Sequence, residues 1–61
     1  MQVYIINQEL RTDAKYQIMV KRGSGFFHVY PGKLFTIEKA MEICNANNFT
    51  IIKTGTLWEC I

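Results

Sequence analysis

The chain is poor in the residues that build reactive centres: it holds one histidine, His28, and two cysteines, Cys44 and Cys60. A zinc site needs four Cys or His ligands at close spacings, which this inventory does not supply, so no metal is expected. A nucleophile–base pair would have to join His28 to a thiol. Cys44 falls on a helical stripe that should face the core, while His28 falls on the outer face of a strand. No catalytic residues are expected, and the chain reads as a protein that is not an enzyme. A phosphate-cradling loop is missing as well. Six residues separate Gly25 from Gly32 where a P-loop has four, and Leu34 follows Lys33 where it needs Ser or Thr. No nucleotide or other cofactor is expected.

Long apolar runs are also lacking. Nothing approaches the ~20 residues that span a bilayer, so no membrane partner is expected. The opening "MQVYIINQEL" has neither a basic start nor an extended apolar run, so no signal peptide is expected. These features read as a soluble cytoplasmic protein with reduced thiols, a Cys44–Cys60 disulfide being the lesser alternative.

What is there is apolar and aromatic. Of 61 residues, 49 % are hydrophobic, including four Phe, three Tyr and one Trp. That composition folds, and residues 1–61 make a single compact domain. A domain this small buries only about 60 % of its unfolded surface. Little interior is left for a deep active site, and a partner or a second copy could add burial. A monomer and a homodimer are both compatible with this reading.

The pattern predicts an α+β fold with elements in the order β-β-β-α-β-β, the sheet antiparallel and the helix packed on one face. "VYII" (residues 3–6) reads as a strand buried on both sides, and "NQELRTDA" as a polar loop. "KYQIMVKR" and "FFHVY" alternate around Gly23-Ser24, a type II′ hairpin signal. That turn sets Arg22 opposite Gly25, Val20 opposite Phe27 and Ile18 opposite Val29. Tyr16, Ile18, Val20, Phe27 and Val29 then share an apolar face. Lys15, Gln17, Met19, Lys21, Phe26, His28 and Tyr30 share the other. "FTIEKAMEICNANN" carries the helix, capped by Thr36, with Ile37, Ala40, Met41 and Cys44 as its apolar stripe, Ile43 beside it, and Asn47 or Asn48 ending it. The remainder reads as a hairpin turning at Thr54-Gly55, with Phe49 opposite Cys60 and Ile51 opposite Trp58.

Charge is unevenly spread. Residues 14–37 hold Lys15, Lys21, Arg22 and Lys33 and no acid, whereas the rest has three bases against five acids. Rings and cations on one open sheet face mark a contact surface. The expected contact residues are Lys21, Phe26, His28 and Tyr30, with Lys15, Met19 and Arg22 around them. A larger protein with an acidic surface is the first choice of partner. The alternative is single-stranded nucleic acid or DNA bound on the same sheet face, rings stacking on bases while lysines meet phosphates. The mild net charge of +2 favours the protein.

From Tyr16 to Lys53 the hairpin, the "FTIEKAMEIC" helix and the "NNFTIIK" strand resemble the small inhibitors of bacterial RNA polymerase carried by T7-like phages. The resemblance implies a phage-encoded inhibitor or modulator of a host enzyme, acting in the host cytoplasm. Those inhibitors present acidic strand residues, whereas Lys15, Lys21 and Arg22 stand on the matching hairpin here. A weaker similarity exists to the sheet-plus-helix DNA-binding modules that precede tyrosine integrase catalytic domains.

Overall fold

A computed structural model describes residues 1–7 and 15–60 of the chain. Among these described residues four strands and two helices follow one another as β1 (Gln2–Asn7), β2 (Tyr16–Arg22), β3 (Gly25–His28), α1 (Ile37–Ala46), β4 (Thr50–Thr56) and α2 (Leu57–Cys60). The sheet order is β3-β2-β1-β4. The polar stretch expected to loop after β1 lies, apart from Asn7, outside the described residues.

The middle hairpin forms in the expected register, with Arg22 opposite Gly25 and Val20 opposite Phe27. Gly23 takes φ +61° and Ser24 stays at negative φ, the pattern of a II′ turn. Beyond His28 the chain leaves the strand. Tyr30-Pro31-Gly32-Lys33 closes a turn in which the Lys33 N–H donates to the Tyr30 carbonyl at 3.2 Å. Gly32 supplies the φ of +77° that its third position demands. Phe35 then comes back to exchange two hydrogen bonds with Tyr16, at 2.7 and 2.8 Å.

Helix α1 is delimited by its own polar residues. The Thr36 side chain accepts from the Lys39 N–H at 3.1 Å, and Glu38 sits in the first turn, where the helix dipole favours an acid. At the other end Asn48 adopts φ +58°. The Phe49 N–H reaches the Cys44 carbonyl at 2.8 Å and the Asn48 N–H reaches that of Asn45 at 3.3 Å. That pair of bonds is a Schellman ending, with Asn where Gly is usual.

The expected stripe needs one correction. Ala40 and Cys44 are buried and Ile37 and Ile43 pack beside them, but Met41 is 47 % exposed. The helix is turned so that the flank holding Ile43 is covered and the opposite flank, holding Met41, is not.

The last third of the chain differs more. No terminal hairpin forms, and the order is β-β-β-α-β-α. β4 runs parallel to β1, with Val3 opposite Ile51 and Ile5 opposite Thr54, so the sheet is mixed rather than antiparallel. After α1 has crossed the sheet, β4 enters alongside β1 in the same direction. Thr54-Gly55 does not turn, because the backbone continues extended into a capping box. The Thr56 N–H and hydroxyl both donate to Glu59 Oε1, at 3.1 and 3.0 Å, and the Glu59 N–H returns to Thr56 Oγ1 at 3.3 Å. Gly55 leaves room for this carboxylate, since a Cβ there would lie 3.2 Å from it.

Two apolar clusters result, one on each side of the sheet. Val3, Ile5, Ile18, Ala40 and Cys44 form the cluster under α1. Ile6, Met19 and Cys60 form the cluster under α2, joined by Tyr4, Phe26 and Leu57. β1 serves both, as its apolar run foretells: Val3, Ile5 and Ile6 are all fully buried.

The capping box yields a testable consequence. Thr56→Ala is expected to cost about 1 kcal/mol and to lower the melting temperature by roughly 4–8 °C. The two bonds from Thr56, first from its N–H and then from its hydroxyl, hold the Glu59 carboxyl below its ordinary pKa, with Lys53 adding a smaller pull in the same direction. A folded-state pKa below the unfolded one stabilises above the unfolded value, and that stability fades as pH falls through the folded value. Glu59→Gln should therefore lose less stability than wild type on acidification from neutral pH, as read by thermal melts at a series of pH values.

Candidate functional site

Strand alternation assigns every side chain of the hairpin to one side of the sheet. Tyr4, Ile6, Gln17, Met19, Lys21, Phe26 and His28 lie on the side carrying α2, as the cross-strand pairs Tyr4–Met19, Ile6–Gln17, Lys21–Phe26 and Met19–His28 require. There Met19, Lys21, Phe26 and His28 border a groove of about 590 Å³. Met19, only 3 % exposed, is its floor. Lys21, Phe26 and His28 form the strand wall, Leu57 of α2 the facing wall, and residues 23–25 of the turn close one end.

Phe26 is held from two directions. Its ring meets Tyr4 edge to face, with centroids 5.3 Å apart and planes at 80°. Lys21 Nζ lies 5.9 Å from the centre of the same ring, a cation–π distance. This places a positive charge and an aromatic face at the same lip of the groove. No acid is among the described lining residues.

Of the expected contact residues, the groove gathers Met19, Lys21, Phe26 and His28. The other three are elsewhere. Arg22 pairs with Gly25 at the turn, and alternation sends it toward the α1 side. Lys15 is exposed just before β2 and does not border the groove. Tyr30 packs in the α1-side cluster, its ring edge to face with Phe35 at 5.9 Å and 87°. The sidedness expected of Tyr30 fails because period-2 alternation holds only while the strand lasts, and β3 ends at His28.

Phe27 departs from expectation too. It follows the apolar face of Val20, yet it is 56 % exposed at the sheet margin, and α1 does not cover it. Leu57 and Tyr4 were not foreseen at the site. The signal for Leu57 was present: Thr56-x-x-Glu59 is a capping-box spacing and announces a helix start. Trp58, next to Leu57, stands 80 % exposed.

Both thiols are free and buried, on opposite sides of the sheet. Burial raises the pKa of each; at Cys60 the Lys53 charge partly offsets this. Each contributes as a small apolar side chain in its cluster. Among the described residues no helix is long and apolar enough to cross a membrane. Compared with known protein families, curated proteins and solved structures, the chain matches none of the three.

Proposed function

We propose that the protein is a non-enzymatic binding module that docks its middle hairpin onto an acidic surface of a larger protein. The setting we favour is that of a phage product acting on a host enzyme. One observation carries this reading. Lys21, Phe26 and His28 meet Met19 and Leu57 in a groove with no acid among its described lining residues. An aromatic ring and an aliphatic floor supply desolvated contact, and the cation at the lip selects the sign of the partner. Complementary charge of this kind steers encounter and weakens with salt.

Lys21→Glu is the deciding variant. Lys21 is exposed and makes no ion pair among the described residues, so its reversal should leave the circular dichroism spectrum unchanged and lower the melt only by the loss of its cation–π contact with Phe26. Capture of a host protein from bacterial lysate, quantified by mass spectrometry, should fall by roughly tenfold or more. Lys39→Glu, on the outer face of α1, is the control and should capture as wild type does. Equal capture by both variants would refute the reading.

A further inference from the structure

The hairpin register says more about how a partner would be held. Arg22 and Gly25 flank a two-residue turn, so they form a hydrogen-bonded pair, and bonded and non-bonded pairs alternate from there. Val20–Phe27 is then bonded, and so is Ile18–Val29. The Val29 N–H to Ile18 carbonyl bond at 3.0 Å fixes this parity. Phe26 and His28, opposite Lys21 and Met19, fall at the non-bonded positions. Their N–H and C=O groups turn away from β2, toward the open side of β3.

That open side is an edge of the sheet, because β3 is the outermost of the described strands. Among the described residues no hydrogen bond reaches these outward groups of Phe26 and His28. The side chains of the same two residues line the groove. An extended backbone bonding to this edge would therefore set every second side chain beside Phe26 and His28. The intervening side chains would lie beside Phe27, whose ring is 56 % exposed on the other face. The opposite edge is less suited: β4 carries an irregularity at Ile52 and a lysine next to it, features that blunt an edge.

We infer that β3 accepts an added strand from the partner, an extended segment that alternates acidic and apolar residues. The acidic side chains face His28 and Lys21 across the groove, and the apolar ones cover Phe27. The inference rests on the groove reading above and adds the mode of attachment and the partner's pattern.

The experiment uses a short end-blocked peptide alternating glutamate and valine, followed by amide hydrogen exchange of the protein in NMR spectra. In the free protein the amides of Phe26 and His28 should exchange fast, and that of Phe27, bonded to Val20, slowly. Saturating peptide should slow Phe26 and His28 by roughly tenfold or more and leave Phe27 unchanged. Two further peptides carry N-methyl groups on alternate backbone nitrogens, one in each phase; one phase should abolish binding and the other preserve it. A lysine–valine peptide should not bind. Binding that survives both methylation phases, with Phe26 and His28 still exchanging fast, would overturn strand addition while leaving groove docking intact. No binding of the glutamate–valine peptide at millimolar concentration would overturn it as well. So would preferential binding of a thymidine oligonucleotide, which would make nucleic acid the partner. Equal lysate capture by Lys21→Glu and wild type would remove the groove reading itself.

Discussion

Ile5→Ala is expected to leave the chain largely unfolded at room temperature. Ile5 has no exposed surface and sits at the centre of β1, opposite Ile18 on one side and Thr54 on the other. It packs in the cluster of Val3, Ile18, Ala40 and Cys44. Truncation removes three carbons and leaves a cavity between a sheet and a helix that cannot collapse freely, at a cost of roughly 2–5 kcal/mol. A single core in a domain of this size rarely supplies more than about 3–5 kcal/mol of net stability. The two quantities are comparable, so one side chain decides whether the chain folds. Circular dichroism with urea titration reads the outcome. Wild type should show a cooperative transition, and the variant should start without a native baseline. A cooperative variant transition within about 1 kcal/mol of wild type would place the centre of the core elsewhere.

Ending the chain at Thr56 should have the next largest effect. Leu57 and Cys60 are what α2 lays over Ile6 and Met19, on the face that α1 does not reach. Re-exposing a fully buried side chain of this kind costs about 1.5–3 kcal/mol. Strand neighbours still shield Ile6 and Met19 in part, so the loss should be roughly 2–3 kcal/mol in all. The urea midpoint should fall accordingly, and a dye that fluoresces on apolar surface should bind the shortened chain and not the full one. This exceeds the loss expected from Thr56→Ala, which loosens the start of α2 without uncovering the sheet. Unchanged stability and no dye binding would mean that α2 covers nothing of consequence.

Where local chemistry decides the structure, the residues announce it. Gly23-Ser24 dictates the hairpin turn, and the turn dictates the cross-strand register, because a shift by one residue would take Ile18 out of the cluster under α1. Thr36 and Asn48 bracket α1 for equally local reasons. The choice of β1 as the parallel neighbour of β4 depends on where the crossing helix delivers the chain, and no short-range pattern encodes that. Thr54-Gly55 resembles a hairpin turn when read alone, and Leu57–Cys60 is too short to show a helical period. Only the Thr56/Glu59 spacing distinguishes the two outcomes. Met41 and Ile43 are both apolar and both near the stripe, so rotation of α1 between them is settled by the sheet surface below.

The groove was legible to the same extent. Met19, Lys21, Phe26 and His28 come together because they are fixed by hairpin parity. Tyr30 does not join them because the Pro31-Gly32 turn carries the chain off the strand before the alternation reaches it. Leu57 completes the wall from an element that only the assembled fold positions.

The placement of β1 between β2 and β4 also bears on biosynthesis. β1 is made before both of its flanking partners, and one of them, β4, follows only after the hairpin and α1. Closing so long a stretch of chain before any reward is slow compared with forming a local hairpin. On the ribosome the hairpin and α1 can assemble early, but one edge of the first strand must wait unprotected until Thr56 has cleared the exit tunnel.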